Sequence, residues 1–535
     1  MRVRRGGGGL RRAAALLLAA AGTAAPAAGQ TQPCRLDGLP QTARCGVAKR
    51  PLDPAQPQGV LIDVHYAVVP ALARHKADDA VFFFAGGPGQ SAIELAGPLA
   101  ARYGRLNQRR DLVFIDQRGT GRSAPLKCAD DDDRAALQPL AARADEAQRL
   151  PRLNACRLSL QALPYGDLRF FTTELASADV DAVRQALGVP RLNAIGASYG
   201  TRAVLDYQRQ FAAHVRRAVL DGVAPPDMRL ADTAAHDNQA AFDALLAACA
   251  TEPACARRHP QLRAQWAALL AGLPHAVQLP HPVSGRFETI TLQRDTLLAL
   301  VRAPLYAPVL ASALPVAIDE AAAGRWAPLA ALAQAMGGSG AAGVFTGMHF
   351  SVVCAEDLGP GAPPLSAADA TADADAVATT APGTDFGNSF ARLYRKVCAG
   401  WPRGTVSPAF YTLQPATAPV WLLSGGLDPV TPPRHAERVA RALGPKARHI
   451  VVNNAGHGVA ALGCVRDAVM RFITTADDAQ ALAGDAACAT AVPRPPAFVP
   501  PGVALAGATA AGAPRLSARP MSGASGASGA SSVSR

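Results

Sequence analysis

The chain is 535 residues long and 49% hydrophobic, which is enough for a substantial core in one large domain or in several smaller ones. Its formal net charge is +12, but five arginines lie in the first 12 residues, and without residues 1–29 the charge falls to +7. Because the remainder has no dense run of Lys and Arg, the composition argues against a nucleic-acid partner.

Both ends of the chain are predicted to lie outside the folded core. Arginines precede an apolar run over residues 13–21, and small residues follow to position 29, which is the layout of a secretory signal peptide. The run is too short to anchor the chain in a bilayer. We therefore predict a signal peptide at residues 1–29, no membrane span after its cleavage, and export to the periplasm or the extracellular space. Residues 506–535 are rich in Ala, Gly and Ser, and we expect a disordered low-complexity tail.

The cysteines also favour an oxidising compartment, because their number is even and none forms a Cys-x-x-Cys motif. Pairing each cysteine with its next neighbour would close five local loops, but the sequence alone leaves the connectivity open. The disulfide candidates are Cys34, Cys45, Cys128, Cys156, Cys249, Cys255, Cys354, Cys398, Cys464 and Cys488.

Apolar runs typical of strands alternate with helical patterns in the first part of the chain. The predicted strands are residues 59–69, 79–85, 111–115, 192–197 and 217–223, and the predicted helices are residues 92–103, 173–187 and 203–211. Thr173 is the predicted N-cap of the second helix. Such alternation indicates a mostly parallel sheet that is covered by helices on both faces.

The alternation stops near residue 227 and resumes near residue 411. Residues 227–410 are rich in alanine and mostly helical in pattern, so we interpret them as a helical cap insertion. Two further strands, at residues 419–423 and 449–452, each precede a helix. The predicted core therefore consists of two parts, residues 30–226 and residues 411–495.

The sequence Gly196-Ala197-Ser198-Tyr199-Gly200 lies between a predicted strand and a predicted helix. This order of strand, sharp turn and helix is what a nucleophile elbow requires, because the glycines make room for the turn that exposes the serine. We therefore predict Ser198 as the nucleophile of an acyl-transfer reaction. An ordinary glycine-flanked turn is the alternative for the five-residue motif alone.

Acyl transfer by a serine also needs a base and a carboxylate, which in an open parallel sheet come from the loops after the strands. Asp428 follows one late strand and His457 follows the next, in the order expected with this elbow. We predict a catalytic triad of Ser198, Asp428 and His457. Three other histidines are expected to be structural or surface residues, namely His349, His435 and His449.

The oxyanion that develops during acyl transfer needs two backbone N–H donors. One belongs to Tyr199, the residue after the nucleophile, and the glycine-rich loop after an early strand can supply the other. Gly87 is the predicted second donor, and Gly86 is the alternative. The sequence contains no Walker lysine, dinucleotide fingerprint or zinc-ligand motif, so no metal or cofactor is predicted.

Three motifs together resemble the α/β-hydrolase serine aminopeptidases, which include the proline iminopeptidases and the secreted tripeptidyl aminopeptidase-like group. The motifs are Gly86-Gly87-Pro88-Gly89, Asp116-Gln117-Arg118-Gly119-Thr120-Gly121-Arg122-Ser123 and Gly196-Ala197-Ser198-Tyr199-Gly200. Residues 405–488 look like the C-terminal region of that group. The resemblance covers residues 50–490 and implies an α/β-hydrolase fold with a helical cap.

The resemblance implies the same triad and the same oxyanion amides. It also implies that acidic groups bind the free ammonium of the substrate, and Glu356 is the first candidate and Asp357 the second. Asp116 and Arg118 are expected to hold the loop below the site. One departure is Phe84-Ala85, since iminopeptidases commonly carry a histidine just before the glycines.

The sequence therefore predicts an exported serine hydrolase that cleaves short peptides from their N-terminus through an acyl-enzyme. The nearest alternative is an esterase or lipase-like carboxylic ester hydrolase, because the same triad serves both reactions. A non-catalytic binding protein of the same fold is disfavoured, since every triad position is filled. The number of residues released and the oligomeric state stay open.

Overall fold

The computed structural model describes residues 31–132, 136–337, 343–364 and 384–500. The predicted signal peptide (residues 1–29) and the predicted tail (residues 506–535) lie outside the described residues. Within the described ranges, no helix is both long enough and apolar enough to cross a membrane.

Strands and helices alternate as predicted, and two N-terminal strands and one hairpin add to the predicted set. The strands are β1 (Gln32–Cys34), β2 (Ala43–Pro51), β3 (Leu61–Val69), β4 (Ala80–Phe84), β5 (Leu112–Ile115), β6 (Leu192–Ala197), β7 (Val215–Asp221), β8 (His275–Pro280), β9 (Phe287–Leu292), β10 (Val420–Gly425) and β11 (Ala447–Val452). The α-helices are α1 (Ala96–Arg102), α2 (Gly104–Asn107), α3 (Leu140–Ala144), α4 (Glu146–Gln161), α5 (Thr173–Ala186), α6 (Tyr199–Phe211), α7 (Leu230–Thr251), α8 (Pro253–Arg258), α9 (Leu262–Ala271), α10 (Arg294–Leu305), α11 (Pro308–Ala311), α12 (Leu314–Ala322), α13 (Ala327–Gly337), α14 (Thr346–Glu356), α15 (Ser389–Gly400), α16 (Pro433–Leu443), α17 (Gly463–Thr474) and α18 (Asp478–Leu482).

Nine of the described strands form one sheet in the order β1-β2-β3-β5-β4-β6-β7-β10-β11. In this sheet, β5, β4, β6, β7, β10 and β11 form parallel pairs, whereas β1, β2, β3 and β5 join through antiparallel pairs. The chain order reverses between β5 and β4, and ligands of open α/β sheets bind beyond the carboxyl ends of strands near such a reversal. The glycine-rich loop after β4 and the elbow after β6 both lie at this edge.

The central strands are buried on both faces, because successive side chains of a strand point to opposite sides. Phe82 and Phe84 of β4 belong to the hydrophobic cluster on one face of the sheet. Phe83 belongs to the cluster on the other face, where its ring stacks on Phe114 with 4.8 Å between the ring centroids. This arrangement explains why the strand reads as a continuous apolar run.

The region inserted between β7 and β10 has two parts. Helices α7 to α13 and the antiparallel hairpin β8–β9 build a hydrophobic cluster of their own, which includes Phe242, Trp266 and Trp326. Helices α14 and α15 pack instead into a cluster of the main sheet, to which they contribute Met348 and Tyr394. The second part of the insertion is therefore built into the core.

Each cysteine pairs with its next neighbour along the chain, so the structure answers the question of connectivity that the sequence left open, and all ten cysteines form disulfides in the described structure. The bond between Cys354 and Cys398 ties α14 to α15. The five bonds are Cys34–Cys45, Cys128–Cys156, Cys249–Cys255, Cys354–Cys398 and Cys464–Cys488.

Two buried ionic side chains hold the segment after β5, as the sequence analysis expects. Asp116 accepts hydrogen bonds from the Ser91 hydroxyl at 2.6 Å and from the Ile93 N–H at 3.1 Å. Arg118 donates to the two carboxylate oxygens of Asp179 at 2.7 and 2.9 Å. Both side chains serve the structure of the loop, because their charged groups are fully engaged within the chain.

Replacing Cys354 and Cys398 with alanine is expected to lower the free energy of unfolding by roughly 2–5 kcal/mol, because the bond constrains a long segment of the unfolded chain. The two cysteines are 44 positions apart. Urea unfolding, followed by tryptophan fluorescence, measures the difference. The matched control replaces Cys34 and Cys45, which are 11 positions apart at the sheet edge and should contribute less. A loss below about 1 kcal/mol for the first variant would contradict the expectation.

Candidate active site

Ser198 lies at the turn between β6 and α6, in a backbone conformation that residues with a side chain rarely adopt. Its φ is +56° and its ψ is −127°. The flanking glycines are required, because a Cβ at Gly200 would lie 2.1 Å from the carbonyl oxygen of Phe84. A Cβ at Gly196 would lie 2.5 Å from the carbonyl oxygen of Gly200. The local sequence thus folds into the tight elbow that the motif predicts.

Asp428 lies in the turn after β10, surrounded by hydrogen-bond donors. Its Oδ1 accepts from the backbone N–H groups of Val430 and Thr431 at 2.8 and 2.9 Å. Its Oδ2 accepts from the Thr431 hydroxyl and from the Nδ1–H of His457, each at 2.8 Å. Because Nδ1 carries the hydrogen in this arrangement, Nε2 of the neutral His457 ring is left as a hydrogen-bond acceptor.

Thr431 is a residue of this site that the sequence analysis missed. Its hydroxyl touches both members of the pair, since it also lies 3.2 Å from Nδ1 of His457. A hydroxyl three positions after the aspartate, in a turn that opens with Asp-Pro, is the signal that could have identified it. Thr431 therefore helps to fix the orientation of the carboxylate toward the imidazole.

The contact between Asp428 and His457 shifts the pKa of both side chains. Burial lowers the pKa of His457, but the charge and hydrogen bond of Asp428 and the charge of Asp221 outweigh burial and raise the pKa above its ordinary value. Burial raises the pKa of Asp428, but His457 and the turn N–H groups outweigh it and lower the pKa below its ordinary value. The carboxylate stays ionised, and the imidazole is a stronger base than an isolated histidine.

The backbone around His457 is held from two sides. Its N–H donates to the carbonyl of Tyr306 at 2.9 Å, and the two rings pack edge to face with 5.3 Å between the centroids. On the other side, the carboxylate of Asp221 accepts hydrogen bonds from the N–H groups of Val459 and Ala460 at 2.8 and 2.9 Å. Asp221 therefore anchors the loop after His457, although the sequence pattern showed it only as the end of a strand.

The glycine-rich loop after β4 passes directly beside Ser198. A Cβ at Gly86 would lie 3.3 Å from the Cβ of Ser198, and Gly87 has a φ of +108°, which suits glycine. The loop is tied to the segment before α14, because the N–H of Phe345 donates to the carbonyl of Gly89 at 2.9 Å. The glycines thus let the backbone of this loop approach Ser198 closely.

His349 of α14 reaches the same loop, a contact that the sequence analysis missed. Its Nδ1 lies 3.3 Å from the carbonyl oxygen of Pro88, and its Nε2 lies 2.7 Å from the hydroxyl of Tyr394. Burial lowers the pKa of His349 to about 4, so the ring is neutral near pH 7. His349 therefore has a structural role, as expected: it links α15 to the glycine-rich loop at the wall of the cavity.

The two acidic residues expected to bind a substrate ammonium occupy different positions. Glu356 is 1% exposed, and it accepts hydrogen bonds from the N–H and the hydroxyl of Thr173 at 2.7 and 3.0 Å. The predicted N-cap is thereby corrected: Thr173 is the first residue of α5, and Glu356 supplies the acceptor at this helix end. Asp357 forms an ion pair with Arg202 at 2.6 Å and lines the cavity beside Ser198.

These side chains join α14 to the helix of the elbow. Arg202 of α6 lies 2.6 Å from Asp357 and 3.4 Å from Glu356, and the Tyr199 hydroxyl shares a 2.7 Å hydrogen bond with Thr173. Burial raises the pKa of Glu356 to about 7, against the opposing effects of Arg202 and Thr173. Because donors of the chain itself occupy both oxygens of Glu356, this residue fixes α5 and α6 below the site.

Ser198, His457 and the glycine-rich loop open onto one cavity of about 640 Å³. Its size is within the range of pockets that bind small ligands, such as a peptide of a few residues. The wall also includes Tyr306 and Arg302 at the end of α10 and Arg149 of α4. Among the described residues, no group of three or more His, Cys, Asp or Glu side chains is arranged to hold a metal ion.

Asp428→Asn is expected to lower the pKa of His457 by at least about one unit, because the charge that opposes the effect of burial is removed. Titration of the histidine ring protons by NMR measures the change. His75, which is exposed, serves as the internal reference. An unchanged His457 pKa in the variant would show that Asp428 is not its electrostatic partner.

Two family models match the chain. A model described as alpha/beta hydrolase fold matches residues 79–299, and a model described as TAP-like protein matches residues 382–488. The two matched segments together span more than half of the chain. They contain the elbow in the first segment and both Asp428 and His457 in the second.

Several similar proteins carry peptidase names. Tripeptidyl aminopeptidase from Streptomyces coelicolor is 30% identical over 219 residues, which cover 38% of this chain and 39% of that protein's own length. Serine protease Hip1 from Mycobacterium tuberculosis is 26% identical over 450 residues, which cover 78% of this chain and 84% of that protein. The proline iminopeptidase structure from Mycobacterium smegmatis aligns with 80% of this chain and 97% of its own at 15% identity, with a TM-score of 0.36. The strand order, the elbow and the two family models together show an α/β-hydrolase fold whose C-terminal region matches the TAP-like model.

Proposed function

We propose that this protein is a serine hydrolase that cleaves short peptides from their N-terminus through an acyl-enzyme. The observation that carries the proposal is the convergence of Ser198, Asp428 and His457 on the loops after β6, β10 and β11, at one edge of the sheet. The two relatives named tripeptidyl aminopeptidase and serine protease support a peptidase.

In the proposed reaction, Nε2 of His457 takes the proton of the Ser198 hydroxyl while the serine oxygen attacks the scissile carbonyl. The N–H groups of Gly87 and Tyr199 stabilise the oxyanion. His457 then gives the proton to the leaving amine, and the acyl group stays on the serine. A water molecule, deprotonated by the same imidazole, hydrolyses this ester. Asp428 remains ionised throughout and stabilises the imidazolium.

We also assign the binding of the substrate ammonium to Asp357. Both carboxylates at the end of α14 are nearly buried, with 2% exposure for Asp357 and 1% for Glu356, but of the two only Asp357 lines the cavity. Arg202 donates to its Oδ1 at 2.6 Å and the N–H of Leu230 donates to its Oδ2 at 3.0 Å, so an ammonium group would bind through the remaining lone pair of one of these oxygens. The inserted helices around the cavity favour short peptides over folded proteins as substrates.

Export is part of the proposal. All ten cysteines are paired in the described structure, and such disulfides form and persist in oxidising compartments. The N-terminal residues 1–29 have the composition of a secretory signal peptide. The proposed location is therefore the periplasm or the extracellular space.

The purified protein is expected to hydrolyse tri-alanyl p-nitroanilide with a free N-terminus at least about 10-fold more efficiently than the N-acetylated compound. The reason is that acetylation removes a charge-assisted hydrogen bond worth roughly 1.5–3 kcal/mol. The measurement is kcat/KM for both compounds, together with the p-nitrophenyl ester of a short fatty acid. Equal rates with the free and blocked peptides would contradict an aminopeptidase. Turnover of the ester with neither anilide cleaved would favour the ester hydrolase.

Variants at the end of α14 serve as matched controls for this test. Asp357→Asn should reduce the preference for the free N-terminus by roughly 10-fold, mainly through KM, because the charge that receives the ammonium is lost. Glu356→Gln changes the neighbouring carboxyl group, which is enclosed by α5 and α6, and should retain the preference. Loss of the preference in Glu356→Gln alone would move the ammonium site to Glu356.

A further inference from the structure

Two arginines of the cavity form no close ion pair among the described residues. Arg149 of α4 and Arg302 of α10 both line the cavity that contains Ser198. Within the described part of the chain, neither guanidinium has a carboxylate within 4.0 Å. Of the other charged groups of the wall, Arg202 pairs with Asp357, and Asp221 accepts hydrogen bonds from two backbone N–H groups. The wall therefore has three arginines against two carboxylates, a small excess of positive charge.

Arg302 is held in place by aromatic side chains. Its guanidinium carbon lies 5.2 Å from the centroid of the Phe390 ring, and Phe390 packs on Tyr394 with 4.4 Å between the centroids. One helical turn after Arg302, the carbonyl of Tyr306 accepts the N–H of His457. Stacking on a ring occupies the face of a guanidinium and leaves its N–H groups available in the plane. Arg302 is thus fixed near the catalytic histidine without using its hydrogen-bond donors.

Arg149 of α4 is the second arginine of this positive region. It lies on the exposed side of α4, and it lines both the main cavity and an adjoining cavity of about 850 Å³ that also contains His349 and Tyr394. Glu146, one helical turn away, and Asp295 line the adjoining cavity beside Arg149, but neither lines the cavity that contains Ser198. Arg149 and Arg302 also line one small cavity together with Asp295 and Phe390, so the two arginines lie on the same part of the wall.

We infer that Arg302 and Arg149 form a carboxylate-binding subsite, so that the preferred substrates are short peptides that carry a negative charge. A guanidinium binds a carboxylate through two parallel N–H···O hydrogen bonds, which provides both affinity and orientation. The carboxylate can come from a free peptide C-terminus or from an Asp or Glu side chain. The inference rests on the proposed function, because it names the substrate class of the same cavity.

The first test compares peptides that differ only in charge. Tetra-alanine with a free C-terminus is compared with its C-terminal amide, and Glu is compared with Gln at each position of the amide. We expect one of these acidic peptides to have a kcat/KM at least about 10-fold above that of its neutral partner. A difference between the free acid and the amide indicates recognition of the C-terminal carboxylate. A difference between Glu and Gln indicates recognition of an acidic side chain.

Substitutions of the two arginines test whether they cause the preference for acidic peptides. In Arg302→Gln and Arg149→Gln, the ratio of kcat/KM for the acidic over the neutral peptide should fall about 10-fold. In the control Arg143→Gln it should stay as in the unchanged protein. Arg143 carries the same charge but lines only the adjoining cavity. An unchanged ratio in both cavity variants, with the amides still cleaved from a free N-terminus, overturns the subsite and leaves the proposed function intact.

A binding measurement separates the subsite from catalysis. Calorimetric titration of the Ser198→Ala protein with the same peptides should show tighter binding of the acidic member, and Arg302→Gln in that background should remove the difference. If the unchanged protein cleaves no peptide but this difference is observed, the proposed function fails and the subsite stands. Equal affinity for acidic and neutral peptides overturns the subsite.

Discussion

The backbone turn at Ser198 is the constraint on which the site depends. A side-chain-bearing residue at a φ of +56° is strained, at a cost on the order of 1–3 kcal/mol that the surrounding structure must offset. Gly200 fits against the carbonyl of Phe84 without room for a Cβ, and the Ser198 N–H donates to the carbonyl of Asp221 at 2.8 Å. The Thr201 hydroxyl accepts a hydrogen bond from the segment after β7. Strands on both sides of β6 therefore hold the serine at the mouth of the cavity.

Helix α14 connects the elbow to the remaining parts of the site. His349 contacts the glycine-rich loop near its middle, and Glu356 and Asp357 at its end engage Arg202 of the elbow helix. The disulfide from Cys354 fixes the same helix to α15, which contributes Tyr394 to the cavity wall. In the sequence, α14 lies between the two segments that the family models match. The geometry of the cavity therefore depends partly on residues that neither model covers.

Most strands of the core and the proposed triad could be predicted from the sequence, because their signals are local. The run at β4 is continuously apolar, and Ser198, Asp428 and His457 each follow a recognisable strand. Strand β2, which lies between the short edge strand β1 and β3, was missed because its exposed face is polar and gives no apolar run. His349 could not be assigned a place because its partner Pro88 is 261 positions away. Glu356 could not be recognised as the acceptor at the start of α5 for the same reason, since packing between distant segments leaves no local pattern.

The assignment of Ser198 as the nucleophile is tested most directly by measuring its reactivity. A fluorophosphonate reacts covalently with a serine that an adjacent base activates, and peptide mapping by mass spectrometry locates the modified residue. We expect a single adduct on the peptide that contains Ser198, formed by the folded protein and absent after unfolding in urea or in Ser198→Ala. A folded protein that remains unmodified, or that is modified equally well in Ser198→Ala, would contradict the assignment of this elbow as the catalytic centre.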